Sequence, residues 1–233
     1  MRILAVGAHP DDLEILCAGT LAKYAARGDQ VFMAISTNGE VGSSTLPKDK
    51  IAQVREAEAR ASAAIIGAEL IWIGYPDEFL YENTETRLRY IDVVRAVRPD
   101  VVITHDPVND YHPDHLTTGQ LLWNIRVMTT VPNIKTPHPP CEKIPELYFM
   151  DTVAGVNFVP EEYVDITPTI EKKRKMLAAH ESQGAWLRDQ YNMSYIEFME
   201  ICAAFRGVQC GVRFAECFRR SVTLPTSVGR ILP

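Results

Sequence analysis

The 233-residue chain has no Cys-x-x-Cys pair. Its five cysteines, Cys17, Cys141, Cys202, Cys210 and Cys217, are odd in number and scattered. A disulfide framework is not expected, nor a thiolate zinc site; free buried thiols in a reducing cytoplasm are the simpler expectation. No run of about 18 apolar residues occurs, so no spanning helix and no membrane insertion are expected. Residues 2–7 enter a strand-like run directly, without the apolar h-region and small-residue cleavage site of a signal peptide. There is no basic excess: 24 Lys and Arg against 30 Asp and Glu leave a net charge of −6. A nucleic-acid footprint is therefore absent. The first strand is not followed by a glycine-rich fingerprint, because Gly7 stands alone before His-Pro-Asp-Asp, and this argues against dinucleotide binding there. Internal repeats and low-complexity tracts are also missing.

What remains is ordinary globular material, 46% hydrophobic and 23% charged. Short apolar runs at 2–7, 31–36, 70–73 and 101–104 read as buried strands. Helical spacing of apolar residues occupies 13–27, 48–66, 86–97 and 113–127. This alternation predicts an α/β, Rossmann-like three-layer fold with a mostly parallel sheet. Residues 128–145 hold five prolines and read as irregular. Residues 147–150 fit a further strand, and 168–180 and 194–206 fit helices. One domain spanning 1–233 is expected, with 128–233 as a C-terminal elaboration that forms a site wall or an oligomer interface. A closed homo-oligomer is the default expectation.

Two clusters carry the chemistry: Ala8-His9-Pro10-Asp11-Asp12 and His112-Pro113-Asp114-His115. Each follows a strand and opens a helix, at the sheet edge where α/β folds bind ligands. Proline at the first helical position with aspartate in the first turn is also a plain helix start. That does not explain why histidine flanks the proline in both copies. A hydrolytic zinc takes about three protein ligands and keeps one position open. His9 and Asp12, three apart on a turn, can reach one ion, and His115 comes from the same edge. Asp11 and His112 are then left close by. Asp11 can take a proton from the attacking water and return it to the leaving amine. A protonated His112 can meet the oxyanion, with Asp114 holding it charged through a hydrogen bond.

With these residues the chain resembles the zinc-dependent N-deacetylases of the PIG-L/LmbE-like family, which remove acetyl from N-acetylglucosamine-type sugars. The family's A-H-P-D-D-E signature reads here as Ala8-His9-Pro10-Asp11-Asp12-Leu13-Glu14, with Leu13 inserted, and its H-P-D-H as residues 112–115. Further similarity lies in Thr37-Asn38-Gly39-Glu40, Arg55 with Glu58, Gly74-Tyr75-Pro76-Asp77, His180-Glu181-Ser182-Gln183 and Ala215-Glu216. The resemblance implies zinc on His9, Asp12 and His115, Asp11 as base and His112 as electrostatic partner. It also implies substrate contacts from Arg55 and Asp77, with Glu40 beside them. Some members carry a tyrosine two residues before the H-P-D-H histidine. Asp110 stands there in this chain and Tyr111 one residue later, so Tyr111 joins the substrate candidates. His180 joins them from the C-terminal region. The expected substrate is a small N-acetylated, amino-sugar-containing molecule.

Two other readings stay open at this level. His9, Asp11 and His115 also match the two-His-one-carboxylate site of a non-haem iron oxygenase. A metal-dependent binding module would keep the pocket without turnover, although it would need neither Asp11 nor His112.

Overall fold

The computed structural model describes residues 1–192, 194–222 and 232–233. Its sheet has seven strands: β1 (Arg2–Gly7), β2 (Gln30–Thr37), β3 (Glu69–Tyr75), β4 (Val101–Thr104), β5 (Glu146–Met150), β6 (Glu162–Asp165) and β7 (Ala215–Arg220). Their spatial order is β3-β2-β1-β4-β5-β7-β6. The first five are mutually parallel, and β7 pairs antiparallel with both β5 and β6. The α/β class and the mostly parallel sheet are as the sequence reading has them.

The described residues form eight α-helices: α1 (Asp12–Leu16), α2 (Ala18–Ala26), α3 (Lys48–Ile65), α4 (Thr84–Val97), α5 (Pro113–Ile125), α6 (Ile170–Ala178), α7 (Glu181–Tyr191) and α8 (Tyr195–Cys210). The single helix expected over 13–27 is broken at Cys17, whose φ of −145° is not helical. Side chains of β1 alternate between two cores, as the period of a strand requires. Ile3 and Ala5 join Leu13, Leu21, Ala63, Met176, Leu177 and Met199 on one face. Leu4 and Val6 join Tyr90, Ile91, Val94, Leu121 and Ile125 on the other. Burying β1 on both faces explains why its sequence is apolar throughout rather than alternating.

Strand order reverses between β1 and β4, since β2 lies to one side of β1 and β4 to the other. Chains leaving the carboxyl ends of these two strands diverge and leave a crevice, the usual ligand position in such sheets. Gly7 ends β1 and Thr104 ends β4. Both histidine clusters therefore open into this crevice. Gly119 lets α5 settle against the end of β4: a Cβ there would meet the His105 carbonyl oxygen at 2.5 Å.

Candidate active site

The first cluster is shaped by local hydrogen bonds. The Asp12 carboxylate accepts the His9 amide at 2.7 Å, and the Asp12 amide reaches the His9 carbonyl at 3.3 Å. Asp11, the residue before α1, is thrown into a left-handed conformation with φ 127° and ψ −21°. Its carboxylate makes no helix-capping bond and points to other work. Strain of this kind costs about 1–3 kcal/mol and persists only when its surroundings enforce it.

Three donor groups then meet. His9 Nδ1 lies 3.2 Å from His115 Nε2 and 3.4 Å from Asp12 Oδ2, and His115 Nε2 lies 3.3 Å from Asp12 Oδ1. Four ligands about 2.0–2.1 Å from a tetrahedral ion stand about 3.3 Å from one another. Each of these separations is of that size, with Asp12 turning a different oxygen to each ring. His112 also lies within reach of His9 and His115, and His105 within reach of Asp12 and His115.

Carboxylates occupy the far sides of the rings. His115 Nδ1 is 3.0 Å from Asp110 Oδ2. His9 Nε2 is 3.2 Å from Asp77 Oδ1 and 3.5 Å from Asp114 Oδ2. His105 is fully buried, stacks on His115 at 4.0 Å between centroids, and has Nε2 3.0 Å from the Ala8 amide and 3.1 Å from Asp12 Oδ2. Such partners fix tautomer and ring orientation at metal sites.

Electrostatics point the same way. Asp11, Asp12, Asp77, Asp110 and Asp114 are all buried. Burial lowers the His115 pKa, but Asp12 and Asp110 outweigh it and bring it up to about 9. His9 is likewise raised well above its usual value: burial opposes this, while Asp12, Asp114 and Asp77 drive it. Burial would raise the Asp12 carboxyl, yet His115, His105 and His9 hold it well below the usual range. A dry nest of carboxylates demands positive charge, supplied by protons or by a cation.

Asp11 has its own setting. Arg55 Nη2 is 3.3 Å from Asp11 Oδ2 and 2.7 Å from the Pro10 carbonyl, while Nη1 reaches the Gly39 carbonyl at 3.3 Å. The Tyr195 side chain also faces this carboxylate. Burial pushes the Asp11 pKa up, Arg55 pulls it down, and the net direction is up. A carboxyl moved toward neutrality is better matched to proton transfer.

The arrangement corrects the reading of Asp114. Its carboxylate accepts the amides of Glu78 at 2.9 Å and Leu80 at 3.3 Å, and does not hold the His112 ring. His112 is the residue before α5, and its Nδ1 turns back to accept the Asp114 amide at 3.2 Å. Nε2 lies 3.2 Å from Glu78 Oε1. A ring that accepts at Nδ1 carries its proton on Nε2 and is neutral. Burial lowers the His112 pKa, and His9 and His115 lower it further. The contact at Nδ1 and the lowered pKa both favour the neutral ring over the imidazolium expected from sequence. Glu78 was missed by sequence reasoning. It sits at φ 67°, a left-handed value that only the folded loop reveals.

The expected substrate contacts divide. Arg55 is 4% exposed and Asp77 2%, and both are engaged by the residues above rather than by open space. Thr37 Oγ1 and the Val41 amide also reach the Asp77 carboxylate, each at 3.3 Å. Glu40 is paired with Lys48 at 3.2 Å and Asn38 at 3.1 Å. His180 is buried, with Nε2 3.3 Å from Glu14 Oε1. Tyr111 is 54% exposed. His112 and Glu78 are the more open side chains, at 26% and 45%, so the mouth of the crevice lies on their side. Asp110 was legible only as a residue two places before His112; nothing in the sequence assigned it to His115.

Comparison with known proteins agrees with the fold. A diacetylchitobiose deacetylase of Thermococcus kodakarensis is 28% identical over 227 residues, covering 94% of this chain and 82% of that protein. The solved N,N'-diacetylchitobiose deacetylase of Pyrococcus horikoshii superposes with a TM-score of 0.82 at 29% identity, covering 94% of this chain and 83% of that one. A 4-oxalmesaconate hydratase of Pseudomonas putida is 28% identical over 182 residues, 73% of this chain and 69% of its own. Residues 4–126 match the family model described as PIG-L, GlcNAc-PI de-N-acetylase. That stretch runs from β1 through the end of α5 and takes in both histidine clusters, so the chain belongs to the PIG-L family.

Proposed function

We propose that the protein is a metal-dependent N-deacetylase that hydrolyses the acetamide of a small amino-sugar-type compound to acetate and free amine. The observation that carries this reading is the 3.2–3.4 Å spacing of His9, Asp12 and His115 with Asp11 beside it. The donor set of two imidazoles and a carboxylate suits zinc, and it would also accept other divalent transition metals. When bound, such an ion polarises the acyl oxygen and makes water more acidic.

The chain's residues account for the remaining work. Asp11 accepts a proton as the water oxygen bonds to the acyl carbon. The same proton goes to the amide nitrogen as the C–N bond breaks, so a neutral amine leaves and Asp11 is regenerated. Arg55 keeps the carboxylate aimed. The His112 Nε2–H is a donor for the developing oxyanion once Glu78 gives up its place. Asp77, Asp110 and Asp114 hold the two imidazoles in register.

Names of relatives support an amino-sugar substrate, since deacetylases of diacetylchitobiose and of a GlcNAc–inositol are among them. The hydratase relative sets the competing outcome. The iron-oxygenase reading loses support, because it would leave Asp12 and His112 without work. The test is a screen of N-acetylglucosamine, N-acetylated disaccharides and N-acetylglucosaminyl conjugates with zinc added, read by free-amine release. Amine release supports the proposal. No amine from any of these, with water added across the double bond of an unsaturated carboxylic acid, would replace it with a hydratase.

A further inference from the structure

The tetrapeptide His180-Glu181-Ser182-Gln183 lies outside the family-matched residues, and the reaction above does not use it. Three of its side chains nevertheless end on different elements that reach the base. His180 packs against Glu14, which also accepts the Ser62 hydroxyl at 2.5 Å. The amide and hydroxyl of Ser182 take both oxygens of Glu58, at 2.8 and 2.7 Å. Glu58 is one helical turn beyond Arg55 on α3, so this seats the start of α7 beside Arg55. Gln183 Nε2 donates to the Gly42 carbonyl at 3.0 Å.

The last contact leads to Asp11. Residues 39–42 form a turn closed by the Gly42 amide on the Gly39 carbonyl at 3.2 Å. The Gly39 carbonyl holds Arg55 Nη1, and Arg55 Nη2 holds Asp11. The turn is packed hard between the two side chains. A Cβ on Gly42 would lie 2.6 Å from Arg55 Nη1 and 3.1 Å from Gln183 Oε1, and a Cβ on Gly39 would lie 2.6 Å from Arg55 Nη1. Glycine at both positions lets the backbone approach a guanidinium this closely.

We propose that Gln183 is a positioning residue for the Arg55–Asp11 pair, acting through the 39–42 turn. This rests on the deacetylase reading for its kinetic consequence only. Gln183 and Arg55 are 5% and 4% exposed, so neither offers a surface to a substrate. Loss of the Gln183 bond should loosen the turn, free the guanidinium and blur the aim of Asp11. The effect belongs in kcat and not in KM.

The experiment uses the zinc-loaded full chain, a substrate that the wild type turns over, and two variants. Gln183→Met keeps length and burial without the donor. Gln183→Glu places a carboxylate where it can draw Arg55 away from Asp11. Expected are a fall in kcat of roughly tenfold for Gln183→Met, the scale of one hydrogen bond, and a larger fall for Gln183→Glu. KM should stay within about twofold, with metal content unchanged. In an Arg55→Lys background, Gln183→Met should cost little more, since the coupled partner is already gone. A second readout needs no turnover: ¹⁵N NMR of the Arg55 guanidinium, restricted in the wild type, should show free rotation in Gln183→Met. An unchanged guanidinium signal, a change confined to KM, or full additivity with Arg55→Lys would overturn the assignment. Absence of amine release by the wild type would overturn the deacetylase reading and leave the NMR result to decide Gln183.

Discussion

Asp110 Oδ2 stands 3.0 Å from His115 Nδ1, across the ring from the nitrogen that faces Asp12 and His9. Its other oxygen accepts the Tyr111 amide at 2.7 Å and the His112 amide at 3.1 Å. One side chain thus fixes both the tautomer of His115 and the backbone that delivers His112.

Asp110→Asn should weaken metal binding by about 10–100-fold, the usual effect of removing an outer carboxylate. His115→Ala should abolish binding. Titration of the metal-free proteins with zinc against a competing chelator measures both. Equal affinities for wild type and Asp110→Asn would remove Asp110 from the support of the site.

Asp11→Asn should keep the metal and lose about 10²–10⁴-fold in kcat, because the amide cannot accept the proton of water. Elemental analysis and steady-state kinetics on the same sample give the answer. A variant that loses its metal instead would exchange the roles of Asp11 and Asp12.

Glu78 occupies the His112 Nε2–H that the acyl oxygen needs. Glu78→Ala should raise kcat/KM by roughly two- to tenfold, the scale of one competing hydrogen bond. His112→Ala should lower kcat by about 10²–10³-fold. In the His112→Ala background the gain from Glu78→Ala should vanish. If Glu78→Ala alone is as harmful as His112→Ala, Glu78 orients the ring rather than competing for it.

The histidines also make a prediction for stability. His115 has a folded pKa near 9, above its unfolded value of about 6.5. Its contribution to the chelated protein is fully present below about pH 6.5 and is lost as pH rises through 9. His9 shifts in the same direction. The chelated protein should therefore lose thermal stability between pH 6.5 and 9. Zinc should stabilise it more as pH rises, since the imidazoles must shed protons to bind. Melting curves with chelator and with zinc at pH 6, 7, 8 and 9 check this. A chelated Tm that rises across the range would contradict it.

Much of this was legible in the sequence, for identifiable reasons. The strand-turn-helix rhythm up to residue 125 announces itself through apolar runs, and the histidine clusters sit at strand ends where ligands bind. The groups His9, Asp12 and His115 do converge, and Asp11 does stand free of them. What escaped was tertiary. Strands β6 and β7, paired antiparallel, mix charged residues with apolar ones and show no apolar run. Arg55 was expected at the substrate, yet it is buried against Asp11, and Glu58 one turn on takes Ser182. Asp114 looked like the partner of His112 because the two are close in sequence; the loop at 78–80, distant in sequence, claims it instead.

The backbone of Asp11 has a consequence for selection. A side chain held at φ 127° is a standing conformational burden of about 1–3 kcal/mol, and glycine would relieve most of it. Asp11→Gly sheds that burden but leaves the buried Arg55 guanidinium without its carboxylate, so the gain in melting temperature should show in an Arg55→Met background, where no charge is left unpaired. A directed-evolution campaign scored on heat resistance alone would drift toward losing both members of this pair and discard the base at position 11. Only a screen that also counts product would keep aspartate there, and the gap between the two outcomes would measure what catalysis extracts from the fold.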